Sequence, residues 1–260
     1  MRPKRYWRRS SETTAVSVYN VVDFARFDRR HYPTVSVRDG YREWLPSYDS
    51  TVEDAMDLAL LDRIDSVSWS AVDRAVDLGC GTGRTAAWLR SKGVTRIDGV
   101  DLTPEMLEVA RQHGLHDRLV EGDVRSTGLD DDAYDVVVCC LVDEHLPELT
   151  GLYREARRLL THRGAFVLAG YHPFFIMSTG MPTHFDRAPG EPVAVETHVH
   201  LPGAHVAAAR HAGFTAVELH EALVDDEWIR RKPRWESYRD WPISFAWVWR
   251  ATGAGRESRR

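Results

Sequence analysis

The stretch Val76-Asp77-Leu78-Gly79-Cys80-Gly81-Thr82-Gly83 constrains this chain more than any other, because an apolar run ends there in glycines at every second position. Glycine adopts positive φ without steric penalty and leaves bare backbone for a ligand to approach. The segment therefore reads as a strand turning into a helix beneath a bound cofactor. The spacing narrows the choice of cofactor. A dinucleotide-binding turn places glycine at the first, third and sixth positions. Here the glycines fall at the first, third and fifth, and Arg84 occupies the sixth. A pyrophosphate ligand is disfavoured.

Around this turn the sequence alternates between two periods. The pattern predicts a strand at Ala75–Leu78, a helix at Thr85–Leu89, a strand at Ile97–Val100 and a helix opened by Thr103 and Pro104. It continues with a short strand near Leu119, a buried strand at Tyr134–Cys140, a helix at Leu146–Leu160 and a strand at Ala165–Ala169. Repeated strand–helix alternation is the signature of a parallel sheet with helices on both faces and right-handed crossovers. Between Tyr171 and Pro202 the alternation gives way to a segment rich in His, Pro and Phe. It then resumes with a helix (Ala204–His211), a strand (Ala216–Leu219) and a last strand in which Phe245, Trp247 and Trp249 alternate with Ala246 and Val248. Upstream, Val16 to Val37 has no clear period, whereas Val52–Ile64 carries apolar residues at helical spacing.

Bulk properties set the outer limits. The 260 residues suit one α/β core with an insertion. The formal charge of −5 argues against a nucleic-acid partner, since such binding relies on clustered Lys and Arg. Arg2, Lys4, Arg5, Arg8 and Arg9 do cluster, and they read as a solvated tail. The longest apolar run, Val136 to Val142, is too short to cross about 30 Å of hydrocarbon, so no membrane association is expected. Cys139 and Cys140 are strand neighbours facing opposite ways, and Cys80 sits in the glycine turn. A reducing, cytoplasmic setting follows as the expectation.

The segment Asp77-Leu78-Gly79-Cys80-Gly81-Thr82-Gly83 resembles the signature of class I S-adenosylmethionine-dependent methyltransferases of the small-molecule-acceptor type. Asp101 ends the second strand, where that family carries its ribose acid. Gly122-Asp123-Val124 is similar to the family's adenine-edge segment, and Tyr134-Asp135-Val136-Val137-Val138 to its fourth-strand motif. Arg163-Gly164-Ala165 is similar to the end of the Leu-x-Pro-Gly-Gly turn, with Thr161-His162-Arg163 replacing part of that text. The resemblance implies S-adenosyl-L-methionine as cofactor and S-adenosyl-L-homocysteine as its product. It implies a cofactor site made of Asp77, Gly79, Cys80, Gly81, Asp101, Leu102, Met106, Asp123, Val124 and Cys140. The implied fold is α/β, a Rossmann-like doubly wound sheet, mostly parallel with an antiparallel last strand. To it are added an N-terminal helical cap and an insertion after the fifth strand. The expected organisation is a basic tail (1–15), a cap or lid (16–70), a cofactor-binding domain (71–252) containing a substrate-binding insertion (171–202), and a second tail (253–260).

Methyl transfer from a sulfonium is an in-line displacement, so positioning should dominate, contributing roughly 7–11 kcal/mol. A placed base adds about 10²–10⁴-fold in rate. The residues after the fourth and fifth strands offer His145, Glu144 and His172 for catalysis. His145 is favoured because histidine titrates near neutral pH. The competing reading is that Asp143 and Glu144 merely open the next helix, with His145 packed in its first turn. His172 precedes Pro173 and so sits in extended backbone. His172, His184, His198, His200 and His205 invite a metal reading, but no compact chelating motif accompanies them and no metal is expected. His198 and His200 would share one face of a strand Val193–Leu201.

Tyr41, Trp44, Tyr48, Tyr171, Phe175 and His184 are the expected acceptor-site residues. The lid text, Tyr41-Arg42-Glu43-Trp44 to Tyr48-Asp49, resembles family lids. Aromatic lids exclude water and attract a sulfonium by about 0.5–2 kcal/mol. No Asn- or Asp-Pro-Pro-aromatic motif follows the fourth strand, so a small-molecule acceptor is favoured over a nucleobase. The same fold could also bind the cofactor without transferring methyl, as a cyclase, a dehydratase or a regulatory binder. Oligomeric state is open, with a homodimer among the options.

Overall fold

The computed structural model describes residues 22–52 and 56–252. The two tails lie outside the described residues, as does the start of the cap. The chain enters through a 3₁₀ turn at Phe24–Arg26, then β1 (Thr34–Val35), α1 (Val37–Trp44) and the one-turn helices α2 (Tyr48–Thr51) and α3 (Leu58–Leu61). The core follows as β2 (Arg74–Leu78), α4 (Arg84–Ser91), β3 (Arg96–Asp101), α5 (Pro104–His113), β4 (Arg118–Glu121), β5 (Tyr134–Cys140), α6 (Thr150–Leu159) and β6 (Leu160–Tyr171). Then come α7 (Pro173–Thr179), β7 (His184–Asp186), β8 (Pro192–Val195), α8 (Pro202–His211), β9 (Phe214–Leu223), α9 (Asp226–Arg231) and β10 (Pro242–Ala251). No helix of the described residues is long and apolar enough to cross a membrane.

The main sheet has the order β4-β3-β2-β5-β6-β10-β9. All its pairings are parallel except those of β10, which runs antiparallel to both neighbours, as the resemblance implies for the last strand. Strand alternation sorts the core into two layers. Val76, Leu78, Val137, Cys139, Phe166, Leu168 and Trp249 face α6 and α8, whereas Ala75, Val136, Val138, Val167 and Val248 face α3 and α4. Helix ends follow their local text. Pro104 opens α5, and Gly114 closes it at φ +65° while its N–H bonds the carbonyls of Ala110 and Arg111.

Four expectations are corrected. The helix read over Val52–Ile64 is reduced, in its described part, to the single turn α3. Asp57 ends the preceding chain, accepts the Leu58 N–H and pairs with Arg84, and this fixes a cap where a longer helix would have to continue. The turn anticipated at Thr161–Arg163 does not interrupt the sheet. β6 starts at Leu160 and carries an irregularity there, with its register against β5 slipping between Tyr134↔Leu160 and Val136↔Ala165. The cap is also not purely helical. β1 pairs in parallel with β8, and β8 pairs antiparallel with β7, so the N-terminal segment and the insertion after β6 fold together as one small sheet. A Cβ on Gly40 would lie 2.8 Å from Val195 Cγ2, which shows how flat α1 lies on β8. Trp44, Phe185, Val193 and Val195 form the buried centre of this lid. The strand read over Val193–Leu201 stops at Val195, leaving His198 and His200 outside it.

Candidate active site

The carboxyl ends of β2, β3 and β5 meet at the glycine turn. Leu78 is level with Val100 on one side and Cys139 on the other. Gly79, Gly81 and Gly83 all have positive φ, at +78°, +51° and +99°. At Gly79 the requirement is doubled, because a Cβ there would also sit 2.3 Å from Val142 Cγ2. The turn is thus pressed against the chain leaving β5.

Asp101, at the end of β3, holds this turn. Its Oδ2 accepts the Gly81 N–H at 2.8 Å and its Oδ1 accepts the Thr103 N–H at 2.8 Å. Burial raises its pKa, while those two N–H donors work in the opposite direction. Each carboxylate oxygen keeps a further lone pair, so the group can still accept hydrogen bonds from a pair of vicinal hydroxyls. Beside it Leu102 stays 40% exposed, an uncovered apolar shelf, while Met106 is buried behind it on α5. Asp123 is held by its own turn, where Arg125 donates from its backbone and from its guanidinium at 2.6–3.2 Å. Those contacts, led by the guanidinium, hold its pKa below the usual carboxylate value. Val124 is buried in the core layer facing α6. Cys80 and Cys140 are buried, and burial pushes both thiols up, so neither is a ready nucleophile.

Asp77 lies below the turn, fully buried, with neither carboxylate oxygen hydrogen-bonded. His116 Nε2 lies 3.9 Å from its Oδ2, on a ring whose side chain is 0% exposed. That ring fills the space left by two glycines, since a Cβ would lie 2.7 Å from it at Gly99 and 3.2 Å at Gly83. One turn earlier, His113 Nδ1 is 2.8 Å from the carbonyl of Thr82. These two histidines brace the glycine turn from the end of α5. Sequence reasoning missed both, although their three-residue spacing around the helix-closing Gly114 was the available signal.

On the far side of the turn, the chain leaves β5 through Leu141, a non-glycine residue at φ +57°, and enters a 3₁₀ turn at Asp143–His145. The α6 helix begins only at Thr150, so these acidic residues do not cap it. All three side chains are buried. His145 Nδ1 is 2.8 Å from the carbonyl oxygen of Glu196 and its Nε2 is 2.8 Å from Tyr41 Oη. A carbonyl only accepts, so in the neutral ring Nδ1 carries the proton and Nε2 accepts from the tyrosine hydroxyl. Burial raises the Tyr41 pKa well above its usual value, with neighbouring Tyr48, Glu144 and Asp101 adding to the effect. Tyr41 thus stands between the acid of β3 and the acidic turn after β5. Asp143 is also pushed well up, by burial and then by the charge of Glu144. It lies against the bare backbone of Gly170, where a Cβ would come within 2.2 Å of its Oδ1.

The lid completes the enclosure. Tyr41, Trp44 and Tyr48 pack ring on ring with centroids 5.2–5.9 Å apart, and Thr82 Oγ1 donates to Asp49 at 2.6 Å. Tyr171, at the end of β6, is half-buried, and desolvation, with the charge of Glu144 adding to it, raises its pKa. The structure therefore brings together Tyr41, Tyr48, Asp101, Glu144, His145 and Tyr171. Three candidates are not brought there. His172 caps α7 by accepting the Phe174 N–H and pairs with Glu221 on β9 at 2.9 Å. Strand alternation turns it away from the face that Tyr171 addresses. His184 is bound to the Pro182 carbonyl and packs on Tyr32. Phe175 is buried among Trp235 and Tyr238. His200 and His205 lie behind Asp143, bonded to the Leu146 carbonyl and to Tyr153. Among the described residues no group of three or more His, Cys, Asp or Glu is arranged to hold a metal.

Comparison with known proteins supplies the family. The matched span runs from β2 and its glycine turn into β6. Residues 76–168 match a methyltransferase domain. Outside this domain the likeness thins. The chain is 34% identical over 102 residues to a ubiquinone biosynthesis O-methyltransferase of Xanthomonas oryzae, a match covering 37% of this chain and 42% of that one. It therefore spans about two fifths of that relative's length. Human methyltransferase-like protein 27 is 26% identical over 219 residues, covering 80% of this chain and 71% of its own. Among solved structures, a Mesorhizobium loti S-adenosylmethionine-dependent methyltransferase superposes with TM-score 0.59 at 23% identity, over 75% of this chain and 97% of that one. A [4+2]-cyclase, SpnF, superposes with TM-score 0.60 at 17% identity, over 85% and 98%. These superpositions establish the fold, and the cyclase shows that the fold alone does not dictate methyl transfer.

The residues of the methyltransferase domain fit the family's cofactor, S-adenosylmethionine. The turn offers glycine backbone at positive φ, Asp101 keeps acceptor capacity at its rim, and Leu102 provides an apolar surface next to it.

Proposed function

We propose that this protein transfers a methyl group from S-adenosylmethionine to a small-molecule acceptor held between the glycine turn and the lid. The observation that carries the reading is the Tyr41–His145 pair, which joins the lid to the turn after β5 beside Asp101. A domain that only bound the nucleoside would have no use for an oriented proton acceptor at that point.

Gly79 and Gly81 would approach the cofactor with bare backbone, Asp101 would hold its ribose hydroxyls, and Asp123 and Val124 would flank its adenine. Bound there, the cofactor supplies an electrophilic methyl group. Tyr41 and Tyr48 exclude water from the space above it, and the lid fixes the acceptor. His145 acts through Tyr41 rather than directly, because Nε2 is already occupied by the tyrosine hydroxyl. As the acceptor loses its proton to Tyr41 Oη, Tyr41 passes its own to His145 Nε2, and the Glu196 carbonyl steadies the imidazolium through Nδ1–H. The buried Tyr41 resists standing as a phenolate, so the two transfers are coupled. A placed base of this kind is worth about 10²–10⁴-fold. Glu144 lies next to this pair, its Oε1 3.9 Å from His145 Nε2.

An aromatic lid packed ring on ring beside the turn suits a small acceptor better than a polymer. Incubation with methyl-labelled cofactor and a panel of phenols, amines and carbon acids tests the reading. Label is expected in an acceptor of the panel, and Tyr41→Phe is expected to lower kcat about 10²–10⁴-fold while S-adenosylhomocysteine affinity is retained. Acceptor consumed without label transfer would place the protein with the cyclase instead.

A further inference from the structure

The turn after β5 buries two acids side by side. Asp143 is 4% exposed and Glu144 2%. Asp98, Asp57 and Glu155, also buried, are paired with Arg74, Arg84 and Arg158. The two acids of the turn face histidines instead: Asp143 Oδ2 lies 3.5 Å from His205 Nε2, and Glu144 Oε1 lies 3.9 Å from His145 Nε2. The two carboxyls also hydrogen-bond each other. The oxygens without any other partner are Asp143 Oδ1 and Glu144 Oε2, one on each acid, which is where a shared proton fits. Buried carboxyls in contact cannot both ionise, so the pair holds one proton and one negative charge.

The neighbours decide which acid keeps the proton. Burial, and then the charge of Glu144, pushes Asp143 well above the usual carboxylate range, so Asp143 donates and the charge stays on Glu144. Behind Asp143, burial holds His205 neutral, and Tyr153, which burial keeps protonated, lies 3.0 Å from its Nδ1. The tyrosine hydroxyl therefore donates to Nδ1, and Nε2 carries the ring proton on the side of Asp143. On the other flank the Thr183 hydroxyl is 3.5 Å from Glu144 Oε1, while Tyr41 and the Glu196 carbonyl occupy the two nitrogens of His145. Two further titratable groups lie close by: Tyr171 at the end of β6, which desolvation keeps protonated, and His198, whose Nε2 is 3.5 Å from the Glu196 carboxylate.

We propose that Asp143 and Glu144 share one proton and present a single negative charge to the imidazolium that forms on His145 during methyl transfer. The inference rests on the methyl-transfer reading above and adds two positioning residues to it. Before reaction His145 Nε2 accepts from Tyr41 and needs no counter-charge. When the acceptor gives its proton to Tyr41 Oη, the tyrosine O–H bond breaks, an N–H bond forms at Nε2, and the ring becomes a cation 3.9 Å from Glu144 Oε1. An opposite charge at that range favours the charged form of the ring. The Asp143 proton does not move: it keeps a second buried charge from forming and fixes the Glu144 carboxylate beside the base. Neither acid touches the acceptor.

Two measurements on the full chain test this. Infrared spectra of the protein saturated with S-adenosylhomocysteine should show, at neutral pH, a carboxylic-acid carbonyl band that the isosteric Asp143→Asn removes. In turnover with a methylated acceptor, Glu144→Gln and Asp143→Ala should each lower kcat by roughly 10-fold or more, with KM and S-adenosylhomocysteine affinity unchanged. Glu144→Gln should also move the rise of kcat/KM with pH by about one unit to lower pH, because the base has lost its counter-charge. Asp143→Asn, whose amide supplies the same donor to Glu144, should recover most of the activity lost in Asp143→Ala. Identical acid bands in the wild type and Asp143→Asn overturn the proposal, and this comparison stands even where Asp143→Ala fails to fold. Full kcat or an unmoved pH profile in Glu144→Gln, or an Asp143→Asn as impaired as Asp143→Ala, also overturns it and leaves methyl transfer standing. A wild-type protein that transfers methyl to no acceptor removes the reading beneath the proposal, and the proposal with it.

Discussion

Gly79→Ala tests whether the glycine turn is held by contact as well as by conformation. Two penalties are expected. An alanine at φ +78° costs about 1–2 kcal/mol from the left-handed backbone alone. Its Cβ would also lie 2.3 Å from Val142 Cγ2, an overlap that forces one of the two segments to move, at about 1–3 kcal/mol. Together the loss is about 2–5 kcal/mol, which at a urea slope of about 3 kcal/mol/M lowers the unfolding midpoint by roughly 0.7–1.7 M. Val142→Ala separates the parts. Alone it removes two methyl groups from a half-buried side chain and costs about 1–1.5 kcal/mol. In the Gly79→Ala background it relieves the overlap, so the pair should be less destabilised than the sum of the singles by about 1–3 kcal/mol. Circular dichroism in urea reads all four proteins. Additive effects would show that Val142 does not press on the turn, and a neutral Gly79→Ala would refute both the conformation and the contact.

Other consequences are smaller in scope. Arg74→Ala should destabilise by about 3 kcal/mol or more, because it strips the ion pair from buried Asp98 and leaves only the Tyr134 hydroxyl at 2.6 Å; a change below 1 kcal/mol in urea would contradict this. His205 is held neutral by burial, and then by nearby His200, with its pKa lowered to about 3. The sign follows from linkage: the unfolded ring takes up its proton near pH 6.5 and the folded ring does not. Its contribution is therefore complete above about pH 6.5 and is lost as pH falls toward 3. His205→Gln should flatten the stability profile between those limits, and an unchanged slope would show the ring is protonated in the fold.

The core of the fold was legible because each strand–helix unit announces itself locally. Tyr134–Cys140 is apolar on both faces, as a central parallel strand must be, and Thr103-Pro104 with Gly114 brackets α5 by its own chemistry. Gly79 and Asp101 were legible for the same reason, since each lies at a strand end fixed by its neighbours in sequence. Contacts between distant segments were not. Tyr41 and His145 are 104 residues apart, and nothing in either segment states that β1 pairs with β8 and carries the lid onto the turn after β5. His172 does sit in extended backbone, as the proline after it requires, but Pro173 also opens α7 at its first turn and makes the histidine its cap, a contact that sequence alone left open. Asp225, followed by Asp226 and Glu227, is an N-cap signal that announced α9 and went unused. The spacing of His113 and His116 around Gly114 hints at a pair, but the burial of His116 is not legible locally, because it is created by Gly99 on the adjacent strand.

Calorimetric titration of the purified protein with S-adenosylhomocysteine, beside its Asp101→Ala variant, bears most directly on the whole account. Saturable one-to-one binding is expected, weakened at least 10-fold in the variant as the charge-assisted ribose contacts disappear. Heat-silent mixing at millimolar nucleoside, or equal affinity in the two proteins, would contradict the placement of the cofactor against Gly79, Gly81 and Asp101.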